Sequence, residues 1–324
     1  MKNIFKLEPV FKDYIWGGNK LKNEYNKSTP YEKTAESWEL SCHKNGKSRI
    51  VGGEYDGCTL DEMIEREGSF GRDVLGSRAA RFSEFPILIK LIDANDALSV
   101  QVHPSDEYAM KNEGSSGKTE LWYVVAAEEG AELIYGFSRD VTKDEVMRAV
   151  QNNELLPLLN SVKVKAGDAF FVRAGLVHAI GKGILICEIQ QSSDITYRLY
   201  DWGRVGKDGK GRELHIDKSL DVMKLSGEGE GDFSPSGKTV GDGVSEYLLS
   251  ECEYFKVRRI VQSSRSRLSR FGESFAALNF LSGRGSLISE DGALPFEKGD
   301  SVFVSATPKE YEIVGECEYL ITEI

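Results

Sequence analysis

Polar and apolar residues alternate along residues 98–104, and this pattern predicts a β-strand. Side chains two positions apart on a strand point to the same face. We therefore expect Ser99, Gln101 and His103 to lie together, with Val100 and Val102 on the opposite face. Such a polar face fits either a site that opens into a barrel mouth or an ordinary solvent-exposed face. This stretch alone does not distinguish between the two interpretations.

Short apolar runs separated by turn-forming residues predict further strands along the chain. These runs cover residues 36–41, 85–92, 121–125, 169–172, 184–190 and 196–200. Two capping-box motifs, at Thr59 and Thr142, predict the starts of short helices. The second helix belongs to a helical insertion over residues 142–160, which Pro157 limits. The chain is thus predicted to be mainly β.

An internal repeat relates two distant parts of the chain. Residues 167–174 (GDAFFVRA) align without gaps with residues 299–306 (GDSVFVSA), and His178 then corresponds to Glu310. The repeat predicts that one β-unit is used twice and that the second copy lacks the histidine.

The region between the two copies suggests how the chain divides. Residues 205–243 are rich in Gly, Lys, Asp and Ser, a composition that predicts loops or a linker. A chain of 324 residues is long enough for two domains. We therefore place a boundary near residue 240 and expect domains at 1–240 and 241–324.

Charge and cysteine usage exclude several classes of protein. The formal net charge of −11 argues against nucleic acid or an anionic membrane as the main partner, and no obligate protein partner is evident. The first residues lack the apolar stretch of a signal peptide, and no segment is long enough to span a bilayer. The five cysteines are scattered without a CxxC pair, which predicts reduced thiols in a cytoplasmic protein.

Four side chains offer a candidate metal site. His103 and His178 each lie at the end of an apolar strand beside a turn, and Glu120 begins another apolar strand. Together with the Gln101 amide they could bind one divalent ion and leave positions open for water or substrate. Imidazole alone does not choose among zinc, iron, manganese and nickel. His43 and His215 are interpreted as surface or hydrogen-bonded residues.

The order and spacing of these residues resemble the two metal-binding motifs of the cupin superfamily. More narrowly, several motifs resemble type I mannose-6-phosphate isomerases of the short bacterial form. The segments that carry the resemblance are residues 101–104 (QVHP), 118–122 (KTELW), 188–198 (EIQQSSDITYR), 15–18 (IWGG) and 35–38 (AESW). They span most of the first 205 residues. The resemblance implies two cupin-like double-stranded β-helix (jelly-roll) barrels, of which the first carries the site.

The same resemblance implies roles for individual residues. It assigns one zinc ion to Gln101, His103, Glu120 and His178, and a sugar-phosphate pocket to Ser99, Lys118 and Arg198. Lys118 and Arg198 are also implied to be catalytic, and Asp194 matches a family position proposed for proton transfer. The activity implied is the interconversion of mannose 6-phosphate and fructose 6-phosphate through a cis-enediol.

Two residues depart from the family pattern. Gly117 stands where longer members often place a histidine before the lysine, so that histidine cannot be the general base here. Arg173 replaces the usual proline of the second cupin motif, which affects the turn before His178 without removing a ligand.

The sequence leaves alternative interpretations open for several of these residues and for the whole protein. Lys118 could be a solvated loop residue, Asp194 a turn residue, and Arg198 the ion-pair partner of Asp194 or Asp201. Glu188 could be a hydrogen-bond partner of a metal-binding histidine. For the whole protein, the alternatives are a non-catalytic sugar-phosphate sensor and an iron-dependent cupin oxidoreductase or dioxygenase.

Overall fold

The computed structural model describes residues 3–67, 72–205, 209–228, 233–290, 292–307 and 309–324. Its helices within these ranges are α1 Lys20–Glu24, α2 Leu60–Arg66, α3 Arg72–Leu75, α4 Asp106–Glu113, α5 Lys143–Gln151 and α6 Ile216–Val222. Its strands are β1 Ile4–Glu8, β2 Val10–Lys12, β3 Glu36–Leu40, β4 Cys42–His43, β5 Gly46–Lys47, β6 Arg49–Val51, β7 Ile87–Ala94, β8 Val100–Val102, β9 Glu120–Ala127, β10 Glu132–Phe137, β11 Leu159–Lys163, β12 Ala169–Val172, β13 His178–Ile180, β14 Ile184–Gln191, β15 Tyr197–Tyr200, β16 Gly237–Gly241, β17 Val244–Glu251, β18 Lys256–Gln262, β19 Arg265–Arg270, β20 Ala276–Ser289, β21 Gly292–Glu297, β22 Ser301–Val304, β23 Lys309–Val314 and β24 Cys317–Glu323. The prediction of a mainly β chain is confirmed.

These strands form three large sheets in the part of the chain that the structure describes. The five-stranded sheet has the order β11-β10-β13-β8-β15, and the six-stranded sheet has the order β12-β9-β14-β7-β3-β2. The eleven-stranded sheet follows the path β16-β17-β18-β24-β20-β22-β1-β6, with β19, β21 and β23 attached to it. Strands β1 and β6 come from the N-terminal region, so this last sheet combines both ends of the chain.

The six-stranded sheet is the middle layer and is buried on both faces. One face places Trp122 and Ile186 in a core with Leu133 of the five-stranded sheet. The other face places Leu121 in a core with Leu320 of the eleven-stranded sheet. All eight residues of β7 and all eight of β14 are buried, and for β7 the apolar run at 85–92, broken only by Lys90, predicts a buried strand.

Helices α5 and α6 cover the outer face of the five-stranded sheet. Val100 and Val102, the two valines of β8, pack there against Val146 of α5 and Leu220 of α6. The helical insertion expected at 142–160 corresponds to α5 and a 3₁₀ turn at Leu156–Leu158. Because the valines occupy this outer core, the polar face of β8 must point towards the six-stranded sheet.

The expectation of loops or a linker over residues 205–243 is wrong for its centre. Helix α6 lies within that stretch, and its Leu220 is buried together with the following Met223. The apolar residues Ile216, Leu220 and Met223 follow helical spacing, which the Gly-rich and charged surroundings obscured. Residues 206–208 and 229–232 of the expected linker lie outside the described residues.

The sequence repeat corresponds to a repeated turn and strand. Gly167 and Gly299 both adopt a left-handed conformation, with φ of 96° and 94°. In each copy the following aspartate accepts a hydrogen bond from the backbone three residues earlier, at 3.0 Å for Asp168 and 2.9 Å for Asp300. Strand β12 then pairs with β9, and β22 pairs with β20.

A buried ion pair joins the six-stranded and eleven-stranded sheets. Lys27 Nζ lies 2.7 Å from Glu39 Oε2, and both side chains are buried. The Ser301 hydroxyl of β22 donates to the same carboxylate oxygen at 2.6 Å, and the Lys27 ammonium also donates to the Gly299 carbonyl. The layer contact therefore contains a satisfied polar network within an apolar interface.

The described helices do not include one that is long and apolar enough to cross a membrane. The five cysteines are free thiols, as their scattered spacing predicts.

The buried pair leads to a first prediction. Glu39→Gln leaves the Lys27 ammonium buried without a counter-charge, so the free energy of unfolding in urea should fall by about 3–5 kcal/mol. The control is Glu273→Gln, which breaks an exposed pair with Arg78 and should change that free energy by about 1 kcal/mol or less. Equal effects of the two substitutions would contradict a special contribution of the buried pair.

Candidate metal centre and active-site cavity

Three strands of the five-stranded sheet bring polar side chains into one row. The register places His178 of β13 opposite Gln101 of β8, and Gln101 opposite Arg198 of β15. Directly opposed residues on neighbouring strands share a face of the sheet. Ser99 lies on the same face, with its hydroxyl 3.5 Å from Gln101 Oε1 and 3.2 Å from Arg198 Nε. The alternating pattern of β8 therefore produces a polar row that faces the six-stranded sheet.

Glu120 approaches this row from the opposite sheet. It is the first residue of β9, and its carboxylate lies 3.5 Å from His103 Nε2 and 3.7 Å from His178 Nε2. The two Nε2 atoms are 3.2 Å apart. All three residues are buried, and their ligand atoms lie within 4.8 Å of one another. The structure thus brings together the two histidines and the carboxylate that the sequence singles out.

Backbone carbonyls fix the orientation of both imidazoles. His103 Nδ1 lies 2.8 Å from the Ile195 carbonyl, and His178 Nδ1 lies 2.8 Å from the Leu176 carbonyl. A carbonyl oxygen only accepts hydrogen bonds, so each Nδ1 carries the proton and each Nε2 keeps its lone pair. Both lone pairs are therefore available towards Glu120, the arrangement typical of metal-binding histidines. The earlier suggestion that Glu188 orients one of these histidines is wrong.

The electrostatics of the three residues also fit a metal ion. Burial lowers the pKa of His178 to about 3, and burial with the Lys118 charge holds the pKa of His103 well below its usual range. Both histidines are thus neutral near pH 7, the form that binds metals. Burial, reinforced by Glu188, raises the pKa of Glu120 to about 7. A divalent ion would favour its ionised form, and Glu120 Oε2 is buried without a hydrogen-bond partner among the described residues.

Gln101 and Lys118 complete the immediate surroundings. Gln101 Nε2 lies 3.4 Å from His178 Nε2, and rotation of the amide by half a turn would direct its oxygen to that position. The Lys118 ammonium lies 3.1 Å from His103 Nε2 and also contacts Glu120 Oε1. Lys118 is buried, so the interpretation of a solvated loop lysine is wrong.

A cavity of about 620 Å³ opens beside the candidate metal centre. Its lining includes the predicted substrate and catalytic residues Ser99, Gln101, Lys118, Asp194 and Arg198. It also contains three cationic residues that the sequence did not single out, Lys12, Lys90 and Arg212, together with His215, Glu36 and Glu188. The wall thus concentrates positive charge locally in a chain of formal net charge −11, as an anionic ligand requires.

Comparison with known proteins identifies the family. A model described as the phosphomannose isomerase type I catalytic domain matches residues 4–123, and a mannose-6-phosphate isomerase cupin-domain model matches residues 245–324. Mannose-6-phosphate isomerase ManA of Bacillus subtilis (strain 168) is 39% identical over 323 residues, covering 98% of each chain. The chain belongs to the type I phosphomannose isomerase family.

Two further family members support the assignment over nearly the whole chain. Mannose-6-phosphate isomerase of Streptococcus mutans is 38% identical over 310 residues, which cover 94% of this chain and 93% of that protein. The crystal structure of mannose 6-phosphate isomerase from Bacillus subtilis superposes with a TM-score of 0.91 at 35% identity, covering 99% of this chain and 100% of the other.

Arg198 does not form the ion pair with Asp194 or Asp201 that the sequence suggested as an alternative. Its guanidinium donates to the Glu213 carbonyl at 2.8 Å and to Ser99, and within the described residues no carboxylate pairs with it. Asp201 instead pairs with Arg204 and Arg212. The ion-pair interpretation of Arg198 is therefore wrong, and its remaining donors are available on the cavity side.

Asp194 lies at the outer part of the cavity. Its carboxylate accepts a hydrogen bond from Asn45 Nδ2 at 2.6 Å and lies 3.7 Å from His43 Nε2. The Asp194 side chain is 43% exposed, so it is accessible from solvent.

Arg173 is the other residue, besides Gly117, that departs from the family pattern, and its guanidinium pairs with Glu228.

Lys90 is the main cavity residue that sequence analysis missed. Its ammonium lies 3.1 Å from Glu188 Oε1 and 3.8 Å from Glu36 Oε2, with the Trp38 ring beside it. Burial opposes its charge, but these two carboxylates raise the pKa of Lys90 above its usual range. Burial alone would raise the pKa of Glu188, whereas Lys90 and Lys118 lower it to about 2. A lysine inside the apolar run 85–92 was the available signal.

Close backbone packing explains Gly117, the departure from the longer family members. A Cβ atom at this position would lie 2.5 Å from Asp106 N, 2.6 Å from the Ser105 carbonyl carbon and 2.8 Å from Pro104 O. Real Cβ atoms do not approach so closely, so a side chain here requires the backbone to move. A histidine at this position could therefore not be accommodated in this conformation.

This contact gives a second prediction. Gly117→Ala should lower the free energy of unfolding by about 1–3 kcal/mol, because the added methyl group overlaps backbone atoms. Gly114→Asn is the control, since Gly114 has φ of 64° with open space around it and asparagine tolerates that conformation. Urea denaturation measures both, and a fully tolerated Gly117→Ala would contradict the packing argument.

Proposed function

We propose that this chain catalyses the reversible interconversion of mannose 6-phosphate and fructose 6-phosphate. The observation that carries the proposal is a buried His–Glu–His cluster beside a cavity that also contains Lys118 and Arg198. Relatives that align over nearly the full length are named mannose-6-phosphate isomerases. Their names favour an aldose–ketose isomerase over the sugar-phosphate sensor and the iron-dependent oxidoreductase.

We assign one zinc ion per chain to His103, Glu120 and His178, with Gln101 as a fourth ligand. Three protein ligands, such as these two nitrogens and one carboxylate oxygen, are typical of catalytic zinc sites, and water or substrate can replace a weakly bound amide. The bound ion would supply Lewis-acid polarisation of a sugar oxygen. The unpartnered Glu120 oxygen and the two facing Nε2 atoms support this assignment.

The substrate phosphate or a developing oxyanion is assigned to Arg198, Lys118 and Ser99. A guanidinium offers a planar pair of donors, whereas an ammonium acts as a compact point charge. The Ser99 hydroxyl accepts a hydrogen bond from Arg198 Nε at 3.2 Å and so restrains the orientation of the guanidinium. These groups would hold the sugar phosphate with its reacting carbons near the polar row of β8.

Isomerisation then moves a proton between C2 and C1 through a cis-enediol. Asp194 is assigned this transfer, since its carboxylate lines the cavity and Asn45 holds it in place. Lys118 contacts both His103 and Glu120, and it is assigned a catalytic role in balancing negative charge that develops on the sugar oxygens.

We also propose that the chain contains two cupin-like jelly-roll barrels, divided near residue 240. The equivalent turns and strand pairings of the two repeat copies support a common β-unit. Glu310 takes the place of His178 in the second copy, so residues 241–324 are assigned a structural role.

A cytoplasmic location is proposed from the free cysteines, and a small sugar phosphate is the expected partner.

Removal of the metal provides a third prediction. Chelator treatment, or the substitution His103→Ala, should lower turnover of mannose 6-phosphate by about 100-fold or more, since a ligand loss removes the bound ion. A coupled assay measures turnover, and elemental analysis should find about one zinc per chain in the untreated protein. Glu273→Gln, which removes an exposed carboxylate paired with Arg78 away from this cavity, is the control. Full activity of metal-free protein would contradict the metal assignment.

Arg198 provides a fourth prediction. Arg198→Ala should lower kcat/KM by about 100-fold while zinc content and circular dichroism remain unchanged, because the residue contacts substrate rather than metal. Arg139→Ala, which removes a surface arginine paired with Glu145, is the control. Loss of the fold in Arg198→Ala, or activity equal to that of the control, would contradict this role.

A further inference from the structure

Asp106 connects three separate segments near the candidate metal centre. It is the first residue of α4, where the helix dipole favours a negative charge. Its Oδ1 accepts hydrogen bonds from Gly117 N at 2.7 Å and from Gln191 Nε2 at 2.9 Å. Its Oδ2 accepts from the Tyr254 hydroxyl at 2.6 Å. None of the roles assigned above uses Asp106 or Tyr254.

The partners of Asp106 hold the backbone that leads into β9. Gly117 is bound by Asp106, Lys118 N donates to the Pro104 carbonyl at 3.1 Å, and Thr119 N donates to Gln191 Oε1 at 2.9 Å. Three consecutive backbone amides before Glu120 are therefore held by hydrogen bonds. Asp106 binds the amide of Gly117 directly, and it holds Gln191, which binds the amide of Thr119.

These hydrogen bonds of Asp106 and Gln191, together called the clamp, also connect the two sheets that supply the metal ligands. Pro104 and Asp106 follow His103 on the chain, whereas residues 117–119 precede Glu120. Hydrogen bonds between these segments therefore fix how His103 and Glu120 lie relative to one another. The absence of a side chain at Gly117 lets the two backbones touch.

Tyr254 brings the C-terminal part of the chain into this network. It lies between β17 and β18, inside the region that matches the cupin-domain model. Burial, followed by the hydrogen bond to Asp106, raises the pKa of Tyr254 above its usual range, so the phenol stays protonated and donates.

We propose that Tyr254 and Asp106 are positioning residues through which the C-terminal region holds Lys118 and Glu120 in place for zinc and substrate. The inference rests on the proposed function for its substrate and on the assigned ligands for its metal. It gives the C-terminal region, which lacks the histidine of the repeat, a direct part in the geometry of the site. Hydrogen-bonded groups behind metal ligands influence affinity in this way.

The test compares Tyr254→Phe and Asp106→Ala with a matched tyrosine control. Tyr123→Phe is suitable, because the Tyr123 hydroxyl also reaches the C-terminal region, donating to Glu318 at 2.8 Å, but takes no part in the clamp. Zinc affinity is measured by competition with a chromophoric chelator, alongside kcat, KM and the melting temperature.

Asp106→Ala should weaken zinc binding about tenfold or more, and Tyr254→Phe should weaken it by about threefold. Both should lower kcat more than they change KM, since displaced groups near the reacting centre chiefly slow chemistry. Asp106→Asn should restore zinc affinity to within about threefold, because its amide oxygen still accepts from Gly117 and Gln191. Tyr123→Phe should lower only the melting temperature.

The inference is overturned if Tyr254→Phe and Asp106→Ala bind zinc as tightly as the wild-type protein. Should Asp106→Ala fail to fold, the zinc affinity of Tyr254→Phe decides the matter: weaker binding supports the inference and wild-type binding overturns it. If the wild-type protein binds zinc but does not isomerise mannose 6-phosphate, the proposed function fails while the zinc comparison still tests the positioning role. A wild-type protein without zinc affinity would overturn the inference together with the metal assignment.

Discussion

The face-to-face packing of two sheets is the constraint on which the candidate site depends. His103 and His178 come from the five-stranded sheet and Glu120 from the six-stranded sheet, so their ligand atoms converge only when the layers are correctly aligned. The apolar residues around Trp122 set that alignment from within, and helices α5 and α6 support it from outside. A register shift of one residue in β8 would turn its polar row into the core formed by its valines.

Alignment of the layers also determines the electrostatics. Burial removes water from the cluster, and the effect of each neighbouring charge on the others becomes large. Glu188 illustrates this effect: Lys90 and Lys118 outweigh the cost of burial and keep its pKa low, although it lies in the interior. The cavity wall can consequently hold several cations and carboxylates at close range.

Much of the site was accessible from sequence because its chemistry follows strand periodicity. Ser99, Gln101 and His103 alternate with valines, and that pattern alone predicts their common face. Lys90 was missed because a single polar residue in an apolar strand carries no sign of its partners Glu36 and Glu188, which come from other strands. The role of Gly117 was likewise invisible, since it depends on a contact with residues 104–106 that are remote along the backbone. The sequence shows local patterns, but it does not show which distant residues lie close together in the fold.

The pairing of β1 with β22 has a consequence for how the protein is made. One edge of β1 pairs with the nearby β6, whereas the hydrogen bonds of its other edge require β22, far along the chain. During synthesis, the pairing of β1 with β22 and the contact of Phe5 with Phe303 can therefore form only after β22 has been made. Completion of the eleven-stranded sheet thus depends on a pairing between strands that are far apart in the sequence.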